Sequence, residues 1–105
     1  LIARRFEIWT LKPKLSRGPP ELVIVLQSEK IDHLQSIIVA PVKRERPDLA
    51  IPSLTPLLVL DGVSYAILVP FMSAIDRREL DVCVGHNPSI DFEVTKALDR
   101  LFLGI

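Results

Sequence analysis

The stretch LLVLDGVSYAIL, Leu57 to Leu68, decides the fold. Four apolar residues run into Asp61-Gly62, and a second apolar run follows from Val63. Asp-Gly suits a two-residue turn in which both residues take positive φ, the geometry that matches the right-handed twist of paired strands. Leu57–Leu60 and Val63–Leu68 are therefore predicted to be the two arms of an antiparallel hairpin.

Toward the N-terminus the same period continues. Ser36–Ala40 (SIIVA) reads as a strand ended by Pro41, because proline cannot donate to a ladder. Glu21–Gln27 (ELVIVLQ) is β-branched and almost wholly apolar, which predicts a strand buried on both faces. Arg5–Leu11 alternates, with Phe6 and Ile8 on one face and Glu7 and Trp9 on the other. Lys12–Pro20, Ser28–Gln35 and the charged Lys43–Asp48 are predicted connections, and Pro52 and Pro56 bracket an irregular stretch. Toward the C-terminus Pro70 breaks the chain, and Leu80–Val84 (LDVCV) is a last strand closed by Gly85, with Cys83 expected as a small buried hydrophobe. All the strands thus fall within residues 3–84.

After Gly85 the period changes. Asn87-Pro88 offers an N-cap followed by proline at the first helical position, and Asp91 suits the positive end of a helix dipole. A helix over about 88–103 places Ile90, Val94, Ala97, Leu98 and Leu101 on one arc, which would pack on the sheet, with Phe102 at its edge. Leu103 points nearly opposite that arc, in line with Phe92, Lys96 and Asp99. Gly104 fits a left-handed helix terminus. Leu103 and Ile105 find no apolar partner in such a cap, so the closing run is expected to be presented outward.

Composition sets the frame. A chain of 105 residues, 49% hydrophobic, is one domain over 1–105 with a real core, and disorder is excluded. So much apolar surface on so small a chain favours an oligomer. Thirteen basic and thirteen acidic residues cancel, which argues against a protein that grips nucleic acid by bulk charge. Cys83 is the only cysteine, and no apolar stretch has signal or membrane-span length, so a cytoplasmic location is expected. His33 and His86 lack partners at metal-ligand spacing; no phosphate-binding glycine loop or nucleophile elbow occurs. No metal, no cofactor and no enzymatic activity is expected.

In this order of elements the chain resembles the CcdB family of toxins. Phe6-Glu7-Ile8-Trp9-Thr10 is similar to the family's opening strand, and Gln27-Ser28-Glu29 with Ile31-Asp32 to its Gln-Ser, acidic residue and Ile-Asp. Ile38–Val42 matches a strand ended by proline, Leu54-x-Pro56 precedes an aliphatic strand and Gly turn, and Met72-Ser73-Ala74-Ile75 resembles Met-Ala-Ser-Val. The helix closes in Phe102, a variable position, Gly104 and Ile105, as the family closes in Phe-Trp-Gly-Ile. The family's tryptophan is Leu103 here, and its nearby asparagine is Asp99.

The resemblance implies an SH3-like barrel of antiparallel strands with one C-terminal helix, a mainly β (α+β) fold assembled as a homodimer. It implies a toxin that binds the DNA gyrase A subunit and traps the cleaved DNA complex. The target-facing patch would be Leu103, Gly104 and Ile105 with Phe102, Asp99 and Ile31. A cognate antitoxin would neutralise it through a disordered C-terminal segment, and operator DNA would be met only through that antitoxin. Where the antitoxin binds is left open. Losing the tryptophan removes roughly 200 Å² of anchor, worth about 2 kcal/mol or some thirty-fold in affinity, which implies a weakened poison or a differently shaped topoisomerase surface. An mRNA interferase on the same barrel is the enzymatic alternative, for which the basic cluster is Arg4, Arg5, Lys12, Lys14 and Arg17. A homologue that binds antitoxin but no longer poisons is the third.

Overall fold

The computed structural model describes residues 2–14 and 18–105; Leu1 and Leu15 to Arg17, and with them Arg17 of the basic cluster, lie outside the described residues. Among the described residues seven strands occur in chain order: β1 Ile8–Leu11, β2 Leu22–Val25, β3 Ser36–Arg44, β4 Leu57–Leu60, β5 Val63–Ile67, β6 Ser73–Asp76 and β7 Leu80–Gly85. One helix follows, α1 Asp91–Leu103. All pairings are antiparallel, in the order β4-β5-β3-β2-β1-β7, with β6 also on β3.

The sheet cannot be flat. β6 pairs with β3 and β7 with β1, yet only the 3-10 turn Arg77–Glu79 separates them. Across a flat sheet that path would cover four strand spacings, about 19 Å, more than the roughly 14 Å an extended link of this length can reach. The strands β3, β2, β1, β7 and β6 therefore curl into a barrel-like wall.

The period-2 alternation sorts side chains onto its two faces. Phe6, Ile8, Ile24, Leu26, Ala40 and Val42 join Leu58, Ile67 and Val69 on one side and receive Ile90, Val94 and Ala97 from α1 and the turn before it. Trp9, Val23, Val25, Ile37 and Val39 form the second cluster with Ala3 and Leu80. β2 is accordingly buried on both faces, as its sequence requires. The hairpin is present too: Asp61 and Gly62 have φ of 49° and 77°, and Leu60 pairs with Val63.

Four expectations are corrected. Pro41 does not end β3, which runs on through Lys43 and Arg44 into what was expected to be a charged loop. β3 pairs with β6 over Ser36–Val39 and with β5 from Val42 to Arg44, and Pro41 sits where the partner changes. Its carbonyl accepts from the Leu68 amide at 2.9 Å, so its nitrogen faces the same junction, where no ladder bond is required. Secondly, the first strand begins at Ile8, because Phe6 has φ of 68°; the ladder bridges the bulge by Phe6 N to Val25 O, 2.7 Å, and Val25 N to Glu7 O, 2.9 Å. Thirdly, Cys83 is exposed, since β7 is an edge strand whose residues 81–84 lie outside both core clusters. Lastly, Leu101 is exposed: the core takes Ile90, Val94, Ala97 and the half-buried Leu98 and stops short of the last turn. β6, read in sequence only as a matching tetrapeptide, is a strand.

Candidate functional site

α1 is positioned at both ends. Asn87 accepts from the Ser89 amide at 3.1 Å and caps the 3-10 turn Pro88–Ile90 that leads into it. His86 Nε2 lies 2.8 Å from Asp91 Oδ1, tying the end of β7 to the first turn. Val94 and Ala97 anchor the helix on the core. At the far end Gly104 takes φ of 74°, and its amide donates to the Arg100 carbonyl at 3.1 Å, a left-handed stop.

The anchored helix carries its closing residues clear of the barrel. Phe102 is 67% exposed, Leu103 66% and Ile105 76%. The stripe predicted from the helical period is real: Phe92, Lys96, Asp99 and Leu103 are all exposed, and Lys96 Nζ stands 5.2 Å from the Phe92 ring centroid. Beside it lies an open cleft of about 520 Å³, with Ser53, Thr55 and Pro56 on one wall and Glu93, Lys96, Asp99, Arg100 and Ile105 on the other. Ser53 has φ of 69°, unusual for a residue with a side chain. The loop wall escaped the sequence reading, where only the flanking Pro52 and Pro56 hinted at a shaped connection.

Asp99 and Ile105 thus share one site, continuous along the chain with Phe102, Leu103 and Gly104. Ile31 is placed elsewhere. It is exposed in the 3-10 turn Glu29–Ile31, and its carbonyl accepts from Arg77 Nη2 at 2.8 Å and Gln27 Nε2 at 2.9 Å. It does not line the cleft.

The remaining polar clusters are structural. Asp76 accepts from the Arg78 amide at 2.9 Å and from its guanidinium at 2.8 Å, and this pairing holds the Asp76 carboxyl far below the usual range. Glu7 accepts from the Arg4 amide at 2.6 Å and from Trp9 Nε1 at 3.3 Å. Partial burial, and then the charge of Glu7, push the Cys83 thiol up. Among the described residues no three His, Cys, Asp or Glu side chains gather as a metal site would, and no helix is long and apolar enough to cross a membrane. Chemically the outstanding feature is an apolar tip on an anchored helix, a surface suited to contact with a partner.

Known proteins share this architecture. A structure described as an endoribonuclease in complex with its cognate antitoxin, from Mycobacterial species, superposes with a TM-score of 0.75 at 15% identity, over 98% of this chain and 96% of that one. The Mycobacterium tuberculosis toxin MazF-mt6 gives 0.71 at 18% identity, over 91% and 95%. At such identities the likeness is one of fold. No curated protein sequence matches the chain. The family model for the CcdB protein matches residues 5–104, nearly the whole sequence, so the chain belongs to the CcdB family of toxins.

Proposed function

We propose that this protein is the toxin of a type II toxin–antitoxin pair and acts as a homodimer on DNA gyrase. It binds the A subunit through Phe102, Leu103, Gly104 and Ile105, with Asp99 beside them, and traps the cleaved DNA complex. Ile31, set apart from the cleft, contributes only where a second protein spans both surfaces. A cognate antitoxin neutralises the toxin with a disordered C-terminal segment and brings the pair to operator DNA, in the cytoplasm where gyrase works. No bond is made or broken by the toxin itself. The neighbour solved with its antitoxin supports the pairing as a class.

One observation carries this reading. Three large apolar side chains, Phe102, Leu103 and Ile105, stand about two-thirds or more exposed at the closing end of a helix that is otherwise well anchored. Exposing them costs solubility and is explained by a partner. Leu103 in place of the family's tryptophan leaves a smaller anchor, so the purified toxin should inhibit host gyrase at concentrations some ten- to a hundred-fold above those of tryptophan-bearing relatives.

The test is supercoiling by the host's gyrase with full-length toxin and with a form lacking residues 103–105. Inhibition by the first and none by the second supports the proposal. Equal inhibition by both would refute it. The endoribonuclease neighbours supply the second reading, and cleavage of RNA by the purified protein, with gyrase untouched, would establish that one instead.

A further inference from the structure

Residues 29–36, between β2 and the start of β3, are all exposed. Apolar packing therefore does not fix the shape of this connection; hydrogen bonds do. Ile31 is held on both of its main-chain groups. Its amide donates to the Ser28 carbonyl at 3.0 Å, and its carbonyl accepts from Gln27 Nε2 at 2.9 Å and from Arg77 Nη2 at 2.8 Å. Arg77 grips the same connection twice more, with Nε on the Leu34 carbonyl and its amide on the Gln35 carbonyl at 2.9 Å. Gln35 Nε2 in turn donates to Asp76 Oδ1 at 3.2 Å.

Arg77 is itself well placed for this. It follows directly on β6 and opens the 3-10 turn Arg77–Glu79, whose capping box sets the Asp76 carboxylate on the Arg78 amide and the Glu79 carboxylate on the Asp76 amide. Among the described residues Arg77 forms no ion pair. A guanidinium fork ordinarily meets a carboxylate; this one spans two carbonyls of an exposed connection. The side chains of Ile31 and Leu34 are meanwhile left 42% and 43% exposed. A tied main chain with free apolar side chains suits a partner, because the entropy of ordering the segment is lost before binding and not during it.

We infer that Arg77 is a positioning residue for target binding. Its guanidinium, gripping the Ile31 and Leu34 carbonyls together, presents both side chains as a second apolar contact distinct from the helix tip. The target is the gyrase of the functional reading above, on which this inference rests; the clamp itself is read without gyrase.

Backbone ¹⁵N order parameters of the full chain test the clamp. Residues 29–35 should lie near about 0.85 in the parent protein and fall below about 0.6 in Arg77→Ala, with β3 unchanged. Supercoiling by the host's gyrase tests its use. Arg77→Ala should raise the toxin concentration for half-inhibition about ten-fold, and so should the double variant I31A/L34A. Adding Arg77→Ala to I31A/L34A should change inhibition less than about two-fold, because the side chains it positions are already gone. In a Leu103→Ala background its effect should stay about ten-fold, since the tip is a separate contact. Arg77→Lys keeps the charge without the fork and should lose nearly as much as Arg77→Ala. Far-UV circular dichroism confirms that each variant is folded.

Unchanged order parameters in Arg77→Ala overturn the clamp, whatever gyrase does, and Arg77→Lys at parent strength overturns it by assigning the role to charge alone. A loosened connection with inhibition intact overturns the part in target binding. So does an equal loss in every background, the mark of a merely structural residue. A parent toxin that leaves gyrase untouched overturns the functional reading and the target named here, while the order parameters still judge the clamp.

Discussion

The Gly104 amide donates to the Arg100 carbonyl at 3.1 Å with Gly104 at φ of 74°, and this one bond sets the direction in which Ile105 leaves the helix. A Cβ on Gly104 would meet no atom within 4 Å, so a side chain there is opposed by backbone conformation alone. Gly104→Ala should cost about 1 kcal/mol, a Tm decrease of roughly 4–8 °C, if the left-handed turn is kept. If the turn is abandoned instead, Tm is unchanged and Ile105 is redirected. Inhibition below the melting transition is kept in the first case and falls in the second; a variant with unaltered Tm and full inhibition would contradict the role given to this stop.

Exposure and burial on α1 and the sheet predict opposite results for similar truncations. Ile67 is fully buried in the cluster that α1 covers, and Ile67→Ala should lose about 2–5 kcal/mol through lost burial and an unfilled cavity. Leu103→Ala removes an exposed side chain and should stay within about 0.5 kcal/mol. Urea denaturation of both variants checks the contrast. A large loss for Leu103→Ala would mean that the tip is covered by its own subunit.

Asp76 gives a pH signature. Its hydrogen bonds from Arg78 hold the folded-state carboxyl well below its unfolded value. A depressed pKa contributes stability above the unfolded value, about 3.9, and that contribution disappears as pH falls through the folded one. Asp76→Asn should therefore lower Tm at pH 7, and its difference from the parent protein should shrink steadily below about pH 4. A difference that is constant from pH 7 to pH 2 would show that Asp76 acts through its cap geometry and not its charge.

Cys83 is reachable by solvent but its thiol is pushed up, first by partial burial and then by Glu7. Alkylation at pH 7.5 should run slower than for a free cysteine, because only the thiolate reacts. Glu7→Gln should speed it. Rates equal in both proteins would remove Glu7 as a cause.

Most of the strand pattern, the Asp61-Gly62 turn, the helix with its Gly104 stop, and the outward stripe ending in Leu103 were legible in the sequence; Asn87, read as the helix cap, caps instead the 3-10 turn Pro88–Ile90 that leads into α1. Each rests on local physics: side-chain period, turn chemistry and capping act over a few residues, and the chain's own order displays them. Pro41 shows where that stops. Read locally it ends a strand; in the fold β3 changes partners at that residue, and the missing donor falls where none is needed. The exposure of Cys83 and Leu101 follows from which strand lies at the edge and where the core ends, neither of which is a local property. The wall formed by Ser53, Thr55 and Pro56 against α1 joins segments some forty residues apart, and the absence of Ile31 from the cleft's lining is likewise a matter of long-range packing. Sequence alone determined which side chains could face solvent on each element. Only the tertiary structure decided which of those faces another element covers, because coverage depends on contacts between residues distant along the chain.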